Sequence, residues 1–222
     1  MSRKKALYVG GCTATYHQLE PTVAPITSLL DEIGIDTTVT GIYHPNGDET
    51  YAGDYTALNA TNLAGYDILV LFTTGRGRGE DVDAVLDFVR NGKSLIGIHC
   101  AADSFQDRQD YLRAIGGQFR THPAPLDVAV EIVDAAHPVT AGVSAFTVHD
   151  ELYLFKEYDP KNVHLLAQTT SFDDGAPIPV SWVREEGKGR IFYVSLGHMP
   201  PVMSDPNWRR LVQNGVNWTL DL

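Results

Sequence analysis

The chain has 222 residues, 43% of them hydrophobic and 20% charged, which is enough apolar material for one substantial core and no signature of disorder. Lys and Arg number 17 against 28 Asp and Glu, a formal net charge of −11; that field repels polyanions, and with no clustered basic stripe to offset it the composition argues against a nucleic-acid partner. The longest apolar stretches, such as Ile68–Phe72 and Ser94–Ile98, fall far below the roughly 20 residues that span a bilayer.

The basic start Met1–Lys5 leads into an apolar run too short for a signal-peptide core. A soluble, cytoplasmic protein without a membrane partner is therefore expected. Cys12 and Cys100 cannot build a disulfide framework at this size, in keeping with a reducing compartment. Lys5–Val9 reads as a strand ended by Gly10-Gly11. Gln18–Ile33 follows, with Leu19, Val23, Ile26, Leu29, Leu30 and Ile33 near helical spacing and Gly34 as its stop. Ile35–Thr40 is β-branched and alternating, a second strand. Tyr43–Ala60, rich in Gly, Asn, Asp and Pro, reads as a long surface excursion.

Tyr66–Phe72 has the near-continuous apolar pattern of a strand buried on both faces. Glu80–Asn91 places Val82, Val85, Leu86 and Val89 on one helical face, closed by Gly92. Ser94–His99 is a fourth strand, and a helix around Phe105–Ile115 ends at Gly116-Gly117. This β-α-β-α-β rhythm predicts a parallel sheet with helices on both faces. In the second half, Val128–Val133, Val163–Gln168, Pro179–Arg184 and Arg190–Ser195 read as strands, some of them antiparallel around the turn Glu185–Gly189. Asn207–Leu220 closes the chain as a helix offering Trp208, Leu211, Val212, Val216 and Trp218 for burial. With no repeat or linker, a single domain over residues 1–222 is expected.

In an open parallel sheet, ligands bind outside the carboxyl ends of the strands, and the reactive side chains collect there. Cys12 and His17 follow the first strand, Thr73–Arg76 the third, His99, Cys100 and Asp103 the fourth, and Gly197-His198 the last. Gly97–Asp103 reads as a strand running into a sharp turn that presents His99 as a nucleophile elbow presents its residue. An imidazole there serves as base, acid or metal ligand. Asp103 either orients His99 or caps the next helix. In His149-Asp150-Glu151-Leu152-Tyr153, the carboxylates offer acid/base chemistry or hydrogen bonds to sugar hydroxyls, with a solvated acidic loop as the alternative. His17, His99 and His198 together form a candidate three-histidine site for a divalent metal such as zinc.

Other features carry less. Gly75–Gly79 lacks the dinucleotide fingerprint and reads as a rim loop. A third strand lying between the first and fourth would hold Cys12 and Cys100 about 9–10 Å apart, against a disulfide. His44, His122, His137 and His164 show no convergent partners and read as surface or structural residues.

Taken in order, Tyr16-His17, Gly97–Asp103, His137-Pro138, Asp150–Tyr153 and Gly187–Arg190 through Gly197-His198 resemble the ThuA-like, or trehalose-utilisation, family over residues 4 to 220. The resemblance implies a flavodoxin-like three-layer α/β/α sandwich with a mostly parallel central sheet, related to class I glutamine amidotransferases. In those relatives a cysteine occupies the elbow; here His99 stands there and Cys100 follows. His198 falls where the relatives carry a catalytic histidine, but Met199-Pro200-Pro201 replaces the Pro-Glu expected after it, so an intact amidotransferase is not implied.

The resemblance does imply a carbohydrate-catabolism enzyme acting on trehalose-type disaccharides or their 3-keto derivatives, by acid/base or metal-assisted chemistry. A small-molecule carbohydrate is the partner, and a homo-oligomer is left open. In that reading His99, His198 and Glu151 are catalytic and Asp103 orients His99. His17, Tyr16, Cys100, Asp150 and Tyr153 meet substrate, while Phe105 and Trp182 are further rings on which a sugar could stack. The alternatives are a non-catalytic carbohydrate-binding or regulatory module, and a hydrolase using Cys100 as nucleophile.

Overall fold

The computed structural model describes residues 3–11, 17, 19–41, 55–76 and 79–222. Its first half alternates β1 (Lys4–Gly11), α1 (Glu20–Glu32), β2 (Ile35–Gly41), the short α2 (Ala60–Leu63), β3 (Ile68–Thr73), α3 (Gly79–Arg90), β4 (Ser94–Ile98) and α4 (Gln109–Ile115). The second half runs β5 (Gln118–Thr121), β6 (Leu126–Ile132), β7 (Phe146–Asp150), β8 (Leu154–Lys156), β9 (His164–Thr169), β10 (Ile178–Glu186), β11 (Gly189–Val194) and α5 (Pro206–Thr219). Nine strands form one sheet in the order β2-β1-β3-β4-β11-β10-β9-β6-β7, and β5 pairs with β8 apart from it. Strands β2 through β11 in that order are mutually parallel, and β10, β9, β6 and β7 add on antiparallel. The sheet is thus mixed, and its parallel half is the flavodoxin-like part.

The central strands are apolar on both faces because helices cover both. Tyr8, Val70, Phe72, Ile96, Ile98, Phe192 and Val194 pack in one apolar cluster with Ile26, Leu29 and Leu30 of α1 and Trp208, Leu211, Val212 and Val216 of α5. Their immediate neighbours Leu7, Val9, Leu69, Leu71, Leu95, Ile191 and Tyr193 turn the other way, onto Val82, Val85, Leu86 and Val89 of α3 and Leu112 and Ile115 of α4. This period-two alternation makes three layers from runs that read as uniformly hydrophobic. The helices start and stop on local chemistry. Asp205 accepts from the backbone N–H groups of Asn207 and Trp208 to cap α5, with Pro206 in the first turn. Gly116, at φ +96°, ends α4 by donating its N–H to the Leu112 carbonyl.

The structure departs from the expectation at α4, which begins at Gln109 rather than near Phe105. Phe105 itself sits at φ +50°, and the segment before it is the tight turn His99–Asp103. The strands β5, β7 and β8 had no counterpart in the sequence reading. Most of the Tyr43–Ala60 excursion lies outside the described residues, as do Cys12, Tyr16 and Gly77-Arg78.

Candidate active site

The site forms where β1, β3, β4 and β11 end. His99 follows the last residue of β4 with φ +45°, a left-handed conformation that costs a non-glycine residue roughly 1–2 kcal/mol. Two buried tyrosines hold the turn in place: the Tyr193 hydroxyl donates to the His99 carbonyl at 2.7 Å and the Tyr111 hydroxyl to the Ala101 carbonyl at 2.9 Å. Gly97 lets the neighbouring layers close up, since a Cβ there would lie 2.7 Å from Ile115 Cδ1 and 2.9 Å from Tyr193 Cδ2.

The His99 ring is oriented by the main chain of β11's exit, with Nδ1 lying 2.7 Å from the Ser195 carbonyl oxygen. A carbonyl only accepts, so Nδ1 carries the proton and Nε2 presents a lone pair. The expected orienting carboxylate, Asp103, instead accepts from Gln106 Nε2 at 2.9 Å. Cys100, one residue past the elbow, is fully buried in the apolar cluster on the α1 and α5 side.

His198 is positioned by Asp150. This carboxylate, at the end of β7 and without solvent exposure, accepts from the Gly197 N–H at 2.6 Å and the Met199 N–H at 2.9 Å, so it grips both residues flanking His198. Asp150 is therefore placed as a brace for the loop, whereas the sequence reading had it meeting substrate or lying in a solvated loop. His17 comes in from the loop after β1, where its Nδ1 lies 3.0 Å from Thr74 Oγ1 just beyond β3 and its Nε2 lies 3.5 Å from the Tyr153 hydroxyl.

The three imidazoles meet as a triangle. Each pair of ring centroids among His17, His99 and His198 is 5.1 Å apart, with the planes at 68° to 73°. Glu151 points its Oε2 into them, 3.4 Å from His99 Nε2 and 3.3 Å from His198 Nδ1. One ligand atom from each of His17, His99, Glu151 and His198 falls within 4.8 Å of all the others. Neither His99 Nε2 nor His198 Nδ1 has a hydrogen-bond partner, although both are buried.

Burial sets the charge state. It pushes His99 and His17 well below the usual imidazole range, with His198 reinforcing the effect on both and His99 adding to it on His17. His198 is also lowered by burial, against an opposing pull from Glu151. Burial raises Asp150 to about 6 against the backbone donors that favour its ionised form. It also drives the Tyr153 hydroxyl well above its ordinary value, so that group stays protonated. His99 Nε2 presents a lone pair beside the Glu151 carboxylate, with His198 and His17 alongside, and these are ligand types that could hold a divalent cation.

One site residue was missed by sequence. His122, whose sequence context suggests a surface or structural residue, places Nε2 3.6 Å from Glu151 Oε2. No spacing rule marks it, since it reaches the site only because β5 pairs with β8, next to the segment carrying Glu151 and Tyr153. Phe105 and Trp182, expected as rings for a sugar, are fully buried in the core on the α3 and α4 side. Tyr153 is also fully buried, but its ring packs 4.1 Å from that of His99.

An α/β sandwich whose fourth strand ends in a tight turn bearing the site has the amidotransferase-like flavodoxin fold. Solved structures agree: a protein described as ThuA-like from Parabacteroides merdae superposes with TM-score 0.79 at 18% identity, over 98% of this chain and 90% of its own. A second ThuA-like protein, from Bacteroides uniformis, gives 0.77 at 19% identity over 98% and 91%. A GMP synthase component from Thermoplasma acidophilum, so described, gives 0.61 at 15% identity over 100% and 96%. At these identities the likeness is one of fold. The family itself follows from sequence: the model for ThuA, described as trehalose utilisation, matches residues 5–219, and the chain belongs to that family. A search of curated proteins gives no match. Among the described residues, no helix is long and apolar enough to cross a membrane.

Proposed function

We propose that the protein is an enzyme of carbohydrate catabolism. It acts on trehalose-type disaccharides or their 3-keto derivatives through acid/base chemistry beside a divalent metal held by His17, His99 and His198. The observation that carries this reading is the pair of buried, unpartnered nitrogens, His99 Nε2 and His198 Nδ1, converging on one oxygen of Glu151. His99 Nε2 is held as a lone pair by its Nδ1–H bond to Ser195, and its convergence with His198 Nδ1 on one carboxylate oxygen is a donor set that suits a divalent cation. The substrate class is supported by the family's description as trehalose utilisation.

The residues fit the group. His17, His99 and His198 would hold a divalent ion such as zinc through neutral imidazoles, a ligand type that such an ion favours. His99 is locked by its Nδ1–H donating to the Ser195 carbonyl, the outer support that such ligands need. A bound metal supplies a Lewis acid that polarises a ketone oxygen.

The chain's own groups do the rest. A 3-keto group acidifies the neighbouring C–H, and Glu151 accepts that proton while the bonding pair moves toward the carbonyl. Isomerisation follows when that proton returns to the former carbonyl carbon and the hydroxyl proton on the deprotonated carbon passes to the former ketone oxygen, so that ketone and hydroxyl exchange places. In the elimination variant, the C–O bond on the far side of the deprotonated carbon breaks and the departing alcohol takes a proton. The Tyr153 hydroxyl, kept protonated by burial, remains a donor to oxygens in the site, and Asp150 keeps His198 in register.

The test begins with the metal content of untagged protein prepared without chelator. Near one equivalent of divalent metal is expected in the wild type and little in His99→Ala. Glu151→Gln should keep its metal and lose at least ~100-fold in turnover of 3-ketotrehalose, the usual weight of a general base. Wild-type protein that stays metal-free after add-back defeats the metal part. Metal-loaded protein that binds trehalose but converts neither sugar is a binding module instead.

A further inference from the structure

On one side of the site runs an aromatic row whose outer rings, Phe119 and His122, the chemistry above does not use. From the His99 ring, Tyr153 lies 4.1 Å away by centroid and Phe119 a further 4.3 Å from Tyr153. His122 sits 5.9 Å from Phe119 and stacks at 22° to Tyr153. Exposure rises along this row: His99 and Tyr153 are buried, Phe119 is half-buried, and the His122 side chain is 34% exposed. The rings therefore run continuously from the buried imidazoles to solvent, and β5 carries the outer end.

The His122 ring has a fixed sense. Its Nδ1 lies 2.8 Å from the Pro123 carbonyl, which can only accept, so in the neutral ring Nδ1 carries the proton and Nε2 is an acceptor. That acceptor faces Glu151 Oε2, itself an acceptor, at 3.6 Å, a distance and polarity that make no hydrogen bond. Two acceptors side by side next to an aromatic face suit a ligand that brings O–H donors and a face of C–H groups, and a pyranose ring has both.

Resting on the functional reading above, we propose that His122 and Phe119 form the sugar-binding wall of this site. His122 Nε2 accepts a hydrogen bond from a ring hydroxyl, and the Phe119 ring packs on the same sugar. His122 is then a specificity-determining contact, and the substrate enters across β5.

The test compares wild type, His122→Ala, His122→Gln and Phe119→Leu with 3-ketotrehalose as substrate and trehalose as a calorimetric ligand. His122→Ala should raise KM about tenfold, the equivalent of about 1.4 kcal/mol, while kcat changes far less and metal content stays at the wild-type level. His122→Gln, which restores an acceptor, should recover most of the lost affinity, which a merely structural role would not allow. Phe119→Leu keeps the apolar volume but loses the flat face, and should weaken trehalose binding severalfold. If His122→Ala lowers kcat with KM unchanged, or neither parameter moves, the wall assignment is wrong although the functional reading survives. If wild-type protein neither binds nor converts either sugar, both fail together.

Discussion

Asp150→Asn separates what the site needs from what the fold prefers. The carboxylate is fully buried, and burial lifts its pKa from the ordinary 3.8 to about 6 even after the Gly197 and Met199 N–H groups have pulled the other way. In the native state the proton is therefore held more tightly than in the unfolded chain. The stability due to this group is fully present below about pH 4 and is lost as pH rises through about 6, a fall of about 3 kcal/mol at 1.36 kcal/mol per pH unit. Asparagine cannot ionise at any pH.

In metal-stripped protein, the stability of Asp150→Asn relative to wild type should rise by about 3 kcal/mol between pH 4 and pH 7.5, read by urea unfolding. Function should move the other way. Asparagine offers one acceptor oxygen where the two backbone donors use both oxygens of the carboxylate. The His198 segment should then loosen, and metal affinity should fall about 10–100-fold, as when an outer support of a ligand is removed. A relative stability that does not rise with pH would show that burial does not raise the Asp150 pKa, and unchanged metal affinity would show that Asp150 does not brace His198.

Two further substitutions probe the elbow. His99→Gly and His99→Ala should both lose the metal, but the glycine variant should be about 1 kcal/mol more stable by chemical denaturation, because only glycine accepts φ +45° without strain. Tyr193→Phe removes the buried hydroxyl that donates to the His99 carbonyl. It should cost about 1–3 kcal/mol in urea unfolding and leave metal content near wild type, because the His99 ring keeps its own bond to Ser195.

The parallel half of the fold was legible because each strand there is a short apolar run ended by glycine or a polar turn, and each helix shows one apolar face. The second half hid strands for a reason tied to the site. In β7 the inward positions are Phe146, Val148 and Asp150; the alternation is strict, yet an aspartate at a buried position breaks the apolar pattern that would announce it. The residue that braces His198 is thus the one that conceals its strand. β5 and β8 are three or four residues long, too short for any periodicity to show. His99 and His198 could be picked out as residues following predicted strands, whereas His122 follows a strand that sequence could not see.

The arrangement of the site also follows from the order of strands. The chain leaves β1 for β2 on one side and returns to β3 on the other, so a crevice opens at the end of β1, where neighbouring connections run in opposite directions. His17 follows β1 at this crevice, but His99 stands two strands away, at the end of β4, with β3 between them. The gap is closed by contact with that intervening strand's exit: Thr74 takes the His17 ring at 3.0 Å, and Gly75 is tied to the elbow by its N–H donating to the Asp103 carbonyl at 2.9 Å. β11 then lies beside β4 and delivers both the Ser195 carbonyl that orients His99 and the loop bearing His198. A cysteine at the elbow would need only a base beside it. A histidine there, with its free nitrogen turned toward two more imidazoles and a carboxylate, needs the neighbouring exits to converge, and the bonds through Thr74, Ser195 and Asp150 accomplish that convergence.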